Sequence, residues 1–323
     1  MSKPVDRVGA IKRRISKKVL WTLISPLYID YQPDYKRTVF LSGTEKSGTT
    51  WLSDIINYKN EYRYVFEPFW PLKVPICHGF HAQQYLRPEN DDPYFVETAT
   101  QILSGKIRNS WTDKYHRRFM ANQRLIKDVR TNLFLKWLHV HFPDMPNILM
   151  LRHPCAVARS QLRRTEWKPS LKDEFLAQDT LVDDFLHPFV KHIEQAKPGF
   201  ETFVFRWCIQ NYVPLKQFKP GEIHLIFYED LCNEPKAEID RLFKYMGRDY
   251  DETVYQNIRK PSPVSREESA IMSGGSLIDG WRKQITSDQI AQAVDILGLF
   301  GLDYIYNAES VPQVRPDEIM ITA

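Results

Sequence analysis

The chain has 323 residues, 43% of them hydrophobic and 26% charged, which supplies one large core and excludes a disordered or fibrous protein. Its net charge of +4 suits an anionic ligand but is too small to argue for nucleic acid. Four cysteines (Cys77, Cys155, Cys208 and Cys232) form no C-x-x-C pair and read as reduced thiols of a cytoplasmic protein.

The basic excess lies at the start, where Lys3, Arg7, Lys12, Arg13, Arg14, Lys17 and Lys18 face Asp6 alone, and residues 1–37 read as a basic N-terminal helical segment. The apolar run from Val19 to Ile29 contains Pro26, is too short to span a bilayer and shows no small-residue cleavage site. A helix packed on the body of the protein is expected there, and a peripheral membrane contact through the basic residues stays open.

The main domain is expected over 38–310, followed by a tail over 311–323. Its first strand is the apolar run from Val39 to Leu41, ending at Gly43. A polar loop follows, and the residues from Trp51 to Asn57 carry apolar side chains at helical spacing. A strand, a glycine-bearing loop and a helix N-terminus present backbone N–H groups to a phosphate. Lys46 adds a charge, and Ser47, Thr49 and Thr50 add hydroxyl donors around Gly48. Gly43 and Gly48 have Walker A spacing, but Thr49 stands where that pattern needs lysine, which argues against Mg-nucleoside triphosphate.

A second strand is expected over 62–66, running directly into Glu67, and 71–93 reads as irregular. Helical patterns occupy 94–105 and 132–141, and the apolar run 147–152 reads as a buried strand with a helix beginning near Cys155. Residues 165–198 read as inserted helices and loops that, with 71–93, line an acceptor pocket. A helix over 200–218 is expected to be interrupted or ended near Pro214. A strand over 221–228, a helix over 235–246, a loop over 259–285 and a helix over 288–297 complete the chain. Strands alternating with helices imply an α/β fold: one parallel sheet, flanked by helices on both faces, in a single domain.

Three further stretches carry chemistry. Arg152 stands at a strand end and Ser160 about two helical turns on, so the pair fits either one phosphate or a helix cap with a solvated face. Tyr228-Glu-Asp-Leu231 with Pro235 ends the last strand, where Tyr228 either encloses a ligand or merely finishes the element. Gly280-Trp-Arg-Lys283 offers a ring to stack and two cations: Trp281, Arg282 and Lys283. Cys77, His78 and His81 lack the remaining ligand of a structural zinc site, and no metal is expected.

Glu45-Lys-Ser-Gly-Thr-Thr-Trp-Leu52 resembles the 5′-phosphosulfate loop, P-K-S-G-T-T-W-L, of sulfotransferases that use 3′-phosphoadenosine 5′-phosphosulfate (PAPS), with Glu45 in the proline place. The Arg152 to Ser160 stretch resembles the family's 3′-phosphate motif R-[DN]-P-x-x-x-x-x-S, with His153 for Asp or Asn. The Tyr228 stretch resembles its YEDL…P segment, and the Gly280 stretch its C-terminal segment closing over adenine and the 3′-phosphate. The resemblance, in motif order over 38–285, implies a P-loop-NTPase-like fold and PAPS as donor, with PAP as product. It implies binding by Lys46, Ser47, Gly48, Thr49, Thr50, Trp51, Arg152, Ser160, Tyr228, Trp281, Arg282 and Lys283.

Sulfuryl transfer to an alcohol or amine needs a base for the acceptor proton. Phe66-Glu-Pro-Phe-Trp70 resembles the F-E-P-x-W run of Golgi carbohydrate 6-O-sulfotransferases, whereas the cytosolic phenol enzymes use a His in a K-T-H-type segment. Ile126-Lys-Asp-Val129 stands in that place and has no His. The resemblance therefore implies Glu67 as base with Lys46 and Lys127 as charge-stabilising partners, in the carbohydrate and tyrosylprotein branch rather than the aryl branch. His78 and His81 are the rival bases. The acceptor is expected to be carbohydrate-like or a polar small molecule, and neither its identity nor the oligomeric state follows. A P-loop kinase or NTPase and a non-catalytic PAP-binding protein are the alternatives.

Overall fold

Seven strands, β1 (Ile29–Asp30), β2 (Thr38–Gly43), β3 (Arg63–Phe66), β4 (Met120–Ala121), β5 (Arg124–Asp128), β6 (Asn147–Leu151) and β7 (His224–Phe227), occur among the described residues. The structure is a computed structural model and describes residues 29–116, 118–163, 169–258 and 276–319. The expected helix over 19–29 therefore lies outside the described residues except at its end, as do Gly274 and Gly275 before Gly280-Trp-Arg-Lys283. The main sheet has five strands, all parallel, in the order β3-β5-β2-β6-β7, and β1 pairs β4 in a separate two-stranded ribbon.

The period-2 geometry of strands sends alternate side chains to opposite cores. Val39 and Leu41 of β2 join Ile148 and Met150 of β6 on one face, beside Leu52 and Ile55 of the helix Thr49–Ile56 and Leu242 of the helix Pro235–Tyr245. Phe40 points the other way, with Leu149, Leu151 and Ile126, into the larger core built by the helices Pro93–Leu103, Leu135–His141, Pro154–Leu162, Phe200–Gln217 and Ser287–Leu299. This is the α/β arrangement expected, with helices on both faces of a parallel sheet.

Three elements differ from expectation. β5 carries only two aliphatic residues, Leu125 and Ile126, between Arg124 and Lys127, yet all five of its residues are buried. It is a strand because its charges find fixed partners: Arg124 pairs with Asp30 at 2.7 Å. The helix Phe200–Gln217 does not stop at Pro214. A proline lacks the N–H that would reach the carbonyl four residues back. That carbonyl, of Gln210, instead accepts from Asn132 Nδ2 at 3.1 Å, so the break costs little. Finally, β7 ends at Phe227 and Tyr228 opens a short helix, Tyr228–Asn233, rather than finishing the strand.

The parallel order places five carboxyl ends along one rim. β5 and β6 flank β2, and the chain crosses between them, which makes the end of β2 the topological switch point where such sheets bind ligands.

Candidate active site

The loop after β2 is shaped by close backbone packing. A Cβ on Gly43 would lie 2.7 Å from the Met150 carbonyl, and one on Gly48 would lie 2.7 Å from the Tyr228 ring. Lys46 (φ 77°) and Gly48 (φ 101°) are both left-handed, which only glycine adopts freely. Neighbours hold the loop from outside: Asn211 Nδ2 donates to Thr44 Oγ1 at 3.1 Å, and Gln161 Nε2 to the Glu45 carbonyl at 2.9 Å. No side chain caps the helix Thr49–Ile56. Ser47 Oγ is buried without a hydrogen-bond partner among the described residues. An uncapped helix start with an orphaned hydroxyl fits an anion.

The β6 and β7 ends complete this side. Arg152 follows β6; its guanidinium lies 3.9 Å from the Tyr228 ring centroid and donates at 3.3 Å to the carbonyls of Lys46 and Leu277. Arg152 Nε is buried and unpartnered among the described residues, a second orphan donor that suits a phosphate. Tyr228 packs on Trp51 at 5.4 Å, and burial pushes its hydroxyl up to about 12. Lys46, Ser47, Gly48, Trp51, Arg152 and Tyr228 thus converge, with Thr49 and Thr50 buried in the first helical turn. Ser160 is half-exposed in the last turn of its helix and makes no hydrogen bond with Arg152.

His153 explains its own presence. Its Nδ1 accepts from the Cys155 N–H at 3.2 Å, which is the N-cap role that Asp or Asn would fill. Its ring stacks on Trp281 at 4.5 Å and meets Tyr306 edge-on at 5.1 Å, and burial lowers its pKa to about 4, keeping it neutral. Trp281 is consequently a core residue, 5% exposed, with one face taken by His153. Arg282 turns away to Ser310 Oγ (2.7 Å), the Ala308 carbonyl and Glu309, while Lys283 is exposed. In this structure the Trp281 to Lys283 stretch does not gather with the loop residues.

The β3 and β5 ends carry a different chemistry. Glu67 follows β3 in a left-handed conformation (φ 43°), a strain that a non-glycine residue keeps only when its surroundings fix it. Its N–H donates to the Lys127 carbonyl at 2.7 Å, and its own carbonyl accepts from Trp111 Nε1 at 3.2 Å. The carboxylate lies 2.7 Å from Lys127 Nζ and 2.9 Å from Arg130 Nη1. Burial alone would raise its pKa, but Lys127 and Arg130 outweigh it and hold the carboxyl at about 2. Arg130 also reaches Glu45 at 3.1 Å, and Arg206 bridges Glu45 (3.9 Å) to Glu174 (2.7 Å). Six alternating charges therefore run from β5 through the loop to the inserted segment.

Glu67 and Lys127, both singled out from the sequence, lie side by side, whereas Arg130, Arg206, Glu174 and Trp111 around them were not singled out. Arg130 had a usable signal, since it stands two residues beyond Asp128 at a strand end. Glu45 does not face the loop's ligand side; it is the middle of the ion chain. His78 and His81 are exposed. Cys77 is buried and donates to the Pro68 carbonyl at 3.3 Å. Among the described residues no group of three or more His, Cys, Asp or Glu side chains could hold a metal, and no helix is long and apolar enough to cross a membrane.

The fold is α/β, with a switch-point loop whose orphaned donors suit an anion on one side and an ion-paired carboxylate on the other. The chain belongs to the sulfotransferase family, whose model matches residues 38–252. Among curated proteins it is similar to the nodulation protein NoeE of Sinorhizobium fredii (strain NBRC 101917 / NGR234), 22% identical over 280 residues. That match covers 80% of this chain and 63% of the relative, so the chain spans under two thirds of NoeE. Among solved structures, a sulfotransferase domain from the curacin biosynthetic pathway aligns at TM-score 0.44 and 14% identity, over 81% of this chain and 96% of that one. Mouse sulfotransferase SULT7A1 complexed with PAP aligns at TM-score 0.43 and 14% identity, over 83% of this chain and 85% of that one.

Proposed function

We propose that this sulfotransferase moves a sulfuryl group from PAPS to a hydroxyl or amine of a carbohydrate-like or polar small-molecule acceptor. The observation that carries this reading is the division of the rim: orphan donors Ser47 Oγ and Arg152 Nε lie beside the loop on the β2 and β6 side, and the Lys127–Glu67 pair lies on the other side of β2, Lys127 on the neighbouring β5 and Glu67 at the end of β3 beyond it. PAPS, when bound, supplies the sulfuryl group, which passes to the acceptor with release of PAP. Lys46, Ser47 and the N–H groups of the Thr49–Ile56 helix hold its 5′ end, and Arg152, with Ser160, the 3′-phosphate. Tyr228 and Trp51 enclose the nucleotide. Metal is not part of this reading.

Glu67 accepts the acceptor's proton, and Lys46 and Lys127 neutralise charge building at the transferring group. At about 2 the resting Glu67 is a weak base. An anionic donor beside Lys127 shares that cation and adds negative charge, and both changes raise the Glu67 pKa. Basicity thus develops in the loaded enzyme, where it is used.

The test is thermal stabilisation of the full chain by PAP, compared with ADP and Mg-ATP, followed by transfer from labelled PAPS. Stabilisation by PAP alone together with transfer supports the reading. Stabilisation by Mg-ATP alone would replace it with phosphotransfer, and tight PAP binding without transfer would reduce it to a binding protein.

A further inference from the structure

Beside Glu67, on the outer edge of the sheet, two tryptophans and two lysines form a cluster that the donor-binding motifs do not use. Lys114 Nζ lies 3.3 Å from the Trp111 ring centroid, 3.8 Å from that of Phe66 and 4.9 Å from that of Tyr115. Lys127 Nζ lies over the same Phe66 ring, at 4.5 Å. Trp111 meets Trp70 edge-on at 4.6 Å, and the exposed Lys73 stands 5.5 Å from Trp70 and 6.0 Å from Trp111. Trp70, Trp111 and Lys114 are each half-buried.

In contrast to Lys127, neither Lys114 nor Lys73 has a carboxylate partner among the described residues. Three rings give Lys114 cation–π support but no counter-ion. A half-buried ammonium without a counter-ion is a poor arrangement for stability alone. It gains when an anion arrives in the same desolvated place. Burial pushes the Lys114 pKa down to about 8, with Glu67 opposing the effect and Lys127, Arg130 and Lys73 adding to it. The rim order adds direction: nucleotide contacts lie at β2, β6 and β7, so the β3 edge beyond Glu67 is left for the acceptor.

We propose that Lys114, flanked by Trp111 and by Trp70 with Arg130 over its ring at 4.1 Å, selects an acceptor bearing a carboxylate on or next to its ring, a uronate-type glycoside, and holds that carboxylate while the reacting hydroxyl sits at Glu67. The inference rests on the sulfotransferase reading and sharpens its acceptor class. Lys114 is a specificity residue of the acceptor side and takes no part in donor binding. Lys73, at the exposed rim, adds attraction at longer range.

The experiment titrates the PAP-loaded full chain calorimetrically with 4-nitrophenyl β-D-glucuronide and with 4-nitrophenyl β-D-glucoside, which differ only at the carboxylate. Wild type should bind the glucuronide at least tenfold more tightly. Lys114→Met, which keeps the packing stem, should cut that preference below threefold with unchanged PAP affinity, and Lys114→Arg should retain it. Equal binding of the two glycosides, a preference that survives Lys114→Met, or binding of neither overturns the inference. Failure of PAP to bind strikes the sulfotransferase reading instead, and the glycoside comparison is then read on the nucleotide-free protein by the same criteria.

Discussion

The two halves of the rim are built on opposite principles. On the β2, β6 and β7 side, charge is scarce and donors are left unused: Ser47 Oγ and Arg152 Nε are buried and unpartnered, and backbone and rings set the shape. On the β3 and β5 side, Glu67, Lys127, Arg130, Glu45, Arg206 and Glu174 pair into a chain of ions. An open set of donors waits for a ligand that brings its own charge. A closed ion chain keeps Glu67 and Lys127, the groups proposed to act in transfer, ionised and fixed before any ligand comes, and it leaves out Lys114.

The largest expected effect breaks the closed side. Glu67→Gln removes the proton acceptor, so kcat should fall by about 10²- to 10⁴-fold while PAP affinity stays within about twofold. Retention of most of the wild-type kcat would move the base elsewhere. The same variant exposes the linkage. Folding holds Glu67 at about 2, below the ordinary value near 4.3, so its stabilisation is complete above about pH 4.3 and is lost as pH falls toward 2. The stability difference between wild type and Glu67→Gln, measured by denaturant titration, should close over that window. A difference independent of pH would show that the ion pairs contribute nothing.

A smaller effect tests the open side. Gly48→Ala places a methyl group against Tyr228 at a left-handed position, and should weaken PAP binding by about tenfold or more with little change in the Glu67 ion pairs. Unchanged PAP affinity would mean that the loop's shape does not hold the nucleotide. The smallest effect concerns the seam between nucleotide side and C-terminal segment. His153→Asn keeps the helix cap and loses the stack on Trp281, costing about 1 kcal/mol of stability with PAP affinity nearly unchanged. A tenfold loss of PAP affinity would instead make His153 part of the nucleotide rim.

The sheet was legible wherever strands were buried and apolar. Val39 to Leu41 and Ile148 to Leu151 announce themselves because both faces of a parallel strand need apolar side chains. β5 was not, since Arg124, Lys127 and Asp128 are typical of exposed loops unless partners distant in sequence compensate them. Pro214 misled for a related reason: the rescue of the Gln210 carbonyl by Asn132 comes from 78 residues away.

The chemistry divides likewise. Sequence alone determined the shape of the loop from Gly43 to Thr50, because its glycines and hydroxyls are contiguous and their backbone geometry is local, whereas Arg152, Glu67 and Lys127 were picked out by resemblance and their roles belong to the proposal. Only the tertiary structure decided that Glu45 serves Arg130 rather than a ligand, that Trp281 packs on His153, and that Lys114 stands uncompensated beside Glu67. Those assignments are set by charges and rings that meet across the sheet, and spacing along the chain carries no record of which cation will find a carboxylate.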